Sequence, residues 1–289
     1  MVDLRAALAT AVLAAPFVAG AATGAESPTS EVAFTFTDPA IVESSGLAVL
    51  GDSVVTTNDS GDSARVFVVD PATGRTTAQV TWDADPSDVE ALAPAGRGSV
   101  WVGDIGDNRD ARPSVSVTRL DVTGGGGATS YELRHPEHPY DAEALLTHPV
   151  TGQLFVVTKG TFAGMVLKAP LELDEDGVND LTEVGRTPGI VTDAAFLPGG
   201  GAVVVRTYSR AVVLAYPSWQ VVEGWDLPDQ DQGEGLAVDG ADLLISSEGL
   251  RSDVLRVPLP AAALAADVAG SPFWAVWRVV RIAVPALAG

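Results

Sequence analysis

Cysteine is absent from all 289 residues. That rules out disulfides, thiolate-held zinc and a lipidated cysteine anchor, while leaving export open, since a large exported domain needs no covalent staples. Lysine is confined to Lys159 and Lys168, and the remaining cationic charge is arginine. With 17 Lys and Arg against 38 Asp and Glu, the formal net charge is -21 and no basic stripe exists anywhere. Such a surface repels phosphates, so nucleic acid is excluded as a partner and cations or cation-bridged ligands are favoured. Also missing are a G-x-S-x-G elbow, a P-loop and a dinucleotide fingerprint. Helical 3.6-residue periodicity is missing from the body of the chain. What is present is a 46% apolar composition rich in Val, Ala and Gly, ample for a buried core.

The two ends differ from the body. Residues 1–25 have a weakly positive start at Arg5, an apolar run from Ala6 to Ala22 and small residues at Ala19-Gly20-Ala21. This is the pattern of a signal peptide, with an uncleaved anchor as the other reading, and either places the body outside the cytoplasm. Residues 26–30 are a linker, 31–260 the main domain and 261–289 an apolar tail. In the tail Trp274 and Trp277 stand beside Arg278 and Arg281, a pairing suited to a membrane interface. A membrane-surface helix, a truncated anchor and a tail packed on the domain are equally open.

A short phrase recurs through the body: Ser44-Ser45-Gly46-Leu47-Ala48, Asp88-Val89-Glu90-Ala91-Leu92, Asp141-Ala142-Glu143-Ala144-Leu145, Thr192-Asp193-Ala194-Ala195-Phe196 and Gly233-Glu234-Gly235-Leu236-Ala237. Its anchors Leu47, Leu92, Leu145, Phe196 and Leu236 are 45, 53, 51 and 40 residues apart, the period of propeller blades. After each anchor come short Val-rich runs bounded by Gly, Pro, Asp and Asn, as strands should be. The final unit lacks a fourth strand and the first is preceded by a spare one, Val32 to Thr37. The expected fold is therefore all-β, a propeller of five four-stranded blades closed by the N-terminal strand, which hides an open sheet edge. A monomer is expected.

In such a meander the start of each first strand and the end of each second strand share one face. That gathers Glu43, Asp88, Glu90, Asp141, Glu143, Asp193 and Glu234 near the axis, with Ser45 and Ala194 standing where the other repeats carry the inner acid. Loops after the second strands add Asp59, Asp104, Asp107, Asn108, Lys159, Arg206, Glu248 and Arg251. Converging carboxylates repel one another and are relieved by proton uptake, by Arg or Lys, or by a hard cation. An all-oxygen donor set suits Ca²⁺. The candidate ligands are Asp59, Glu90, Asp104, Asp107, Glu143, Glu234 and Glu248, and the candidate anion or ligand contacts are Asn108, Lys159, Arg206 and Arg251. An ionic network without metal and catalytic carboxylates remain the other readings. Glu172-x-Asp174-x-Asp176-Gly177 has calcium-loop spacing, but its flanks read as strands and a solvated turn is expected. His135, His138 and His148 are expected in ordinary loops, since their spacing fits no standard zinc site.

The phrases Asp141-Ala142-Glu143-Ala144-Leu145, Gln232-Gly233-Glu234-Gly235-Leu236 and Gly103-Asp104-Ile105-Gly106-Asp107-Asn108 resemble those of extracytoplasmic bacterial propellers of the phytase-like, "esterase-like" and SdiA-regulated type. The resemblance covers roughly Val32 to Pro260 and implies a calcium-binding propeller, sometimes with phosphoesterase activity. Two functions follow as expectations. One is a non-catalytic module that binds a small molecule or protein outside the cytoplasm. The other is a metal-dependent hydrolase of phosphate or other esters, with Lys159 and Arg206 holding the anion.

Overall fold

The computed structural model describes residues 29–59, 61–124 and 127–269. The Val-rich runs form strands in five antiparallel sheets. The first blade holds β2 (Ser44–Leu50), β3 (Ser53–Asn58), β4 (Arg65–Asp70) and β5 (Arg75–Thr81). The second holds β6 (Val89–Pro94), β7 (Ser99–Asp104), β8 (Val115–Asp121) and β9 (Ala128–Arg134). The third holds β10 (Ala142–Thr147), β11 (Leu154–Thr158), β12 (Ala163–Lys168) and β14 (Thr182–Pro188). The fourth holds β15 (Val191–Phe196), β16 (Ala202–Thr207), β17 (Arg210–Ala215) and β18 (Gln220–Asp226). The fifth is made of β19 (Gly233–Asp239), β20 (Asp242–Ser247) and β21 (Asp253–Pro258), completed by β1 (Glu31–Thr35) from the start of the chain. It is a five-bladed β-propeller.

Burial explains the strand compositions. The innermost strands β2, β6, β10, β15 and β19 are covered on both faces and read as nearly continuous buried runs. The outermost strands β5, β9 and β18 are largely exposed. Five apolar clusters fill the five gaps between neighbouring blades. The cluster between the fifth and first blades contains Phe34 and Phe36 from the N-terminal segment, each worth about 1.5–3 kcal/mol of burial. The inner strands pack in a closed ring, β2 against β6 and β19, with β10 and β15 completing the circle. At one contact Gly46 is obligatory. A Cβ there would lie 2.5 Å from the backbone nitrogen of Leu92 on the next blade.

Two features go beyond the four-strand repeat. A three-residue strand, β13 (Val178–Asp180), pairs parallel with β9 and widens the second blade to five strands. The acidic turn before it is organised by the buried Asn179, whose Oδ1 accepts the Asp174 N–H at 2.8 Å and whose Nδ2 donates to Glu132 O and Asp174 O. Beyond the blades, Ala261–Ala269 forms a helix, α1. It packs against β16, β17 and β18, with Ala263 fully buried beside Leu197 and Leu227. The signal-peptide reading of residues 1–25 and the rest of the apolar tail, 270–289, lie outside the described residues, among which no helix is long and apolar enough to cross a membrane.

The histidines that could be placed by sequence only as loop residues have structural partners. His135 Nδ1 accepts the Tyr140 N–H, while His148 Nδ1 accepts those of Val150 and Thr151 and its ring lies 4.9 Å from Phe196.

Candidate functional site

Every innermost strand carries an irregularity at the recurring phrase. Pairing with the second strand skips between Ser44 and Leu47, Val89 and Ala91, Ala142 and Ala144, Val191 and Asp193, and Gly233 and Leu236. A β-bulge of this kind re-aims the side chain that the ladder leaves out. The residues so released are Ser45, Glu90, Glu143, Thr192 and Glu234, all buried. In the fourth blade the skipped residue is Thr192, two positions before the Ala194 that motif alignment puts in that place. Hydrogen bonding supports the equivalence. Thr192 Oγ1 donates to Glu234 O at 3.1 Å, as Ser45 Oγ donates to Glu90 O at 2.8 Å, each linking one blade to the next.

Three acids thus stand on the inner ring, and their surroundings divide it. On one side, ligand oxygens of Asp59, Asp88 and Glu90 all lie within 4.8 Å of one another. Asp59 sits on the β3–β4 loop, which is braced by Asn58. The Asn58 Oδ1 accepts the N–H groups of Val42 and Glu43, and its Nδ2 donates to Ala40 O and Asp62. Asp88 is held at the start of β6 by its N–H bond to Asp104 Oδ1 at 2.8 Å. Glu90 is 5% exposed and has the Ser45 hydroxyl at 3.3 Å from Oε2. Asp88 Oδ1 is buried and accepts no hydrogen bond among the described residues.

Acids outnumber bases in this half, where Arg112 pairs with Asp104 and donates to Gly106 O at 2.7 Å. Burial, then Glu143, Asp59, Asp88 and Asp141, hold the Glu90 carboxyl far above the ordinary carboxylate range. Burial, then Asp59 and Asp141, lift Asp88 to about 6, against the opposing pull of Arg112. The backbone of Gly106 lies directly against the pair. A Cβ at that position would be 2.5 Å from Asp88 Oδ2 and 2.7 Å from Glu90 Oε1. The carboxylates therefore face space that only a glycine leaves open, and a purely oxygen donor set fits a hard divalent cation such as Ca²⁺.

On the other side Glu143 has a cationic partner, while the buried Glu234 Oε2 accepts no hydrogen bond among the described residues. Lys159 Nζ donates to Glu143 Oε1 at 2.6 Å and lies 5.9 Å from the centre of the Tyr208 ring. Burial opposes the Lys159 charge, but Glu143 prevails and raises its pKa. Glu143 itself is still pushed up by burial, with Lys159 opposing. Glu234 is raised to about 7, again by burial first, with Lys159 opposing and Glu248 reinforcing. Gln232 bridges by donating to Glu248 Oε1 at 2.7 Å.

The remaining sequence candidates take supporting places. Asp104 forms an ion pair with Arg112 at 2.9 Å. Asp107 Oδ2 accepts the N–H groups of Ala111 and Arg112, both at 2.6 Å, and so shapes the β7–β8 loop. Arg206, expected to meet an anion, is fully buried. Its Nη1 donates to Gly235 O and Ser246 O and its Nη2 to Gln230 Oε1. The adjacent Asp193, also fully buried, accepts the N–H groups of Leu236 and Ala194. Asn108 and Arg251 are exposed on their loops, Arg251 at a left-handed φ of 57° beside Glu248 and Asp229. Arg112, on the β7–β8 loop, was not among the sequence candidates.

No family model matches the chain, and no curated protein matches it in sequence. Solved structures do resemble it. Glutaminyl cyclase from Myxococcus xanthus is 11% identical with a TM-score of 0.51, over 80% of this chain and 97% of that one. The PQQ-bound aldose sugar dehydrogenase from Streptomyces coelicolor is 11% identical with a TM-score of 0.46, over 82% and 99%. The β-propeller domain of Cps50 (Swd1) from Myceliophteria thermophila is 12% identical with a TM-score of 0.42, over 76% and 65%. At such identities the likeness concerns the fold alone. The phytase-like resemblance rests on the quoted motifs.

Proposed function

We propose that the acidic mouth binds a divalent cation, Ca²⁺ by its donor chemistry, through Asp59, Asp88 and Glu90. In this reading the propeller presents the ion outside the cytoplasm as part of a surface that binds a small-molecule or protein ligand. The observation that carries it is the three-carboxylate cluster against Gly106, in which Glu90 is buried, Asp59 and Asp88 are half-buried, and no arginine or lysine contacts Glu90 among the described residues. Each carboxylate supplies a hard anionic oxygen, and Asp59 joins the first blade's loop to the second blade's inner strand. Cation binding would therefore tie two blades together.

The hydrolase reading asks for cationic side chains free to hold an anion beside the metal. Lys159 is engaged by Glu143 and Arg206 is buried on backbone carbonyls, which favours the binding module. Isothermal titration of the metal-free protein with Ca²⁺ and with Mg²⁺ tests the proposal. One Ca²⁺ per chain, lost in both Glu90→Gln and Gly106→Ala, is expected. Equal heats in the wild type and both variants would refute it.

A further inference from the structure

Gln232 marks a second polar position on the acidic face, across the ring from Asp59, Asp88 and Glu90. Its side chain is exposed, and its Nε2 donates to Glu248 Oε1 at 2.7 Å and stands 3.5 Å from Glu234 Oε1. An N–H donor thus already sits between two carboxylates. Behind it Glu234 is 5% exposed, and its Oε2 accepts no hydrogen bond among the described residues. Around Glu234 stand the acids Glu143, Asp193 and Glu248, against the bases Lys159 and Arg206. Both bases are committed, Lys159 to Glu143 and Arg206 to the carbonyls of Gly235 and Ser246. An ammonium group in place of the Gln232 amide would offset the excess negative charge, and its three donors would serve Glu234 and Glu248 together.

The rim around this position is apolar. Phe162 on the β11–β12 loop is 95% exposed, and Ile190, Tyr208 and Leu250 are exposed on the β14–β15, β16–β17 and β20–β21 connections. All four connections open on the face that carries the acids, because each follows a second strand or leads into a first one. The Ile190 N–H donates to Gly160 O at 2.7 Å, which sets it beside the Phe162 loop, and its φ of 57° is a costly conformation for a β-branched residue. Among the described residues no large apolar side chain is exposed on the β3–β4 or β7–β8 loops beside the cation ligands. Exposed aromatic and aliphatic side chains around a polar centre are the make-up of a protein-binding surface. On a chain of net charge -21 the complementary partner is basic.

We propose that this half of the face binds a lysine-bearing apolar segment of a partner polypeptide, the lysine ammonium displacing the Gln232 amide between Glu234 and Glu248 and the neighbouring apolar side chains resting on Phe162, Ile190, Tyr208 and Leu250. The inference rests on the reading of the propeller as a binding module, but it uses none of the proposed cation ligands, so each can fail alone. The probe is a short fluorescein-labelled peptide of alternating lysine and leucine, titrated by fluorescence anisotropy into the full chain in calcium and again in chelator. Expected is saturable binding in both, at least about tenfold tighter than for peptides with glycine in place of leucine or glutamine in place of lysine. Gln232→Lys supplies the ammonium from the chain itself and should weaken binding at least about tenfold. Phe162→Ser should weaken it several-fold, whereas Val221→Ser, at an exposed position on the outer strand β18, should leave it unchanged. Equal affinity for the glycine peptide overturns the proposal, as does affinity unaltered in Gln232→Lys or in Phe162→Ser. Displacement of the peptide by butylamine at the peptide's own concentration also overturns it, in favour of a site for a small amine. No binding in either buffer, with the heat of calcium binding intact, overturns this proposal and leaves the cation site standing. Binding in both buffers without a heat of calcium binding supports this proposal and removes the cation site.

Discussion

Replacing Glu90 by glutamine should change the protein in opposite directions with and without cation. The amide keeps the shape and the neighbouring Ser45 hydroxyl but cannot ionise. In the metal-free protein, burial and the surrounding carboxylates hold the Glu90 pKa far above its reference of 4.5. A raised carboxylate pKa contributes most to stability below the unfolded value, and that contribution is lost as pH rises towards the folded value. At pH 7 the folded protein keeps a proton that the unfolded chain has released about 2.5 units lower. At about 1.4 kcal/mol per unit this costs the wild type up to about 3 kcal/mol, a cost that the amide avoids. At about 2–4 °C per kcal/mol for a domain of this size, metal-free Glu90→Gln should melt up to several degrees higher than wild type at pH 7 and no differently at pH 4. Saturating calcium reverses the order. A ligand at about a thousand times its Kd stabilises the folded state by about 4.1 kcal/mol, raising the wild-type melting temperature by about 8–16 °C and leaving the variant unmoved. Differential scanning calorimetry in chelator and in calcium reads all four states. If Glu90→Gln is the less stable protein in chelator, Glu90 is an ion-paired structural acid and the reasoning fails.

Three further outcomes follow from the same geometry. Calcium affinity should weaken at least about tenfold between pH 7 and pH 5, because Asp88, raised to about 6, must lose its proton to bind; a flat profile by titration calorimetry would remove Asp88 from the site. Lys159→Met leaves Glu143 buried and alone, so urea denaturation at pH 8 should show a loss of about 3 kcal/mol. The loss should shrink towards pH 5 as Glu143 takes up a proton, and Glu143→Gln in the same chain should restore stability; no rescue would mean that the pair is not the cause. Gly46→Ala drives a Cβ into the Leu92 backbone and should cost about 3 kcal/mol or more by the same assay, whereas Gly127→Ala, at an exposed loop glycine with no left-handed φ and nothing within 4 Å, should cost far less.

The blade pattern was legible because burial is periodic. Strands covered on both faces must be apolar throughout, so Val54 to Val55 or Leu154 to Val157 announce themselves, and the recurring phrase at each anchor, with its inner acid in three of the five repeats, fixes the phase. The closure by Val32 to Thr37 was equally legible, since an unpaired strand at one end and a missing one at the other admit one solution. Strand β13 was not, because its three residues are set by the Asn179 side chain and by pairing with another blade. The site was legible as a face but not as a constellation. Sequence places Asp59, Asp88 and Glu90 on the same rim as Glu143 and Glu234. Which acid meets Lys159, and which meets only other acids, depends on loop conformation. Arg206 shows the limit most plainly: its position at the end of a second strand is correct, yet a side chain there can point into the ring as readily as out of it. Thr192 was hidden because the bulge moves by two residues in the fourth blade, and bulges leave no mark in composition.

The clasp between β1 and β21 joins Glu31 to Arg256, residues 225 positions apart. The earliest made of the described strands is thus the last to find its neighbours. Blades one to four can close on contacts between nearby residues, but the ring stays open until almost the whole domain has been made. During that interval the β1 segment, with Phe34 and Phe36, is an unsatisfied edge that any passing strand could capture. Contacts of such sequence separation also slow folding. The device that seals the finished molecule is the one that leaves the growing chain most exposed, so the protein's yield should be more sensitive to changes in residues 31–36 than its finished stability is.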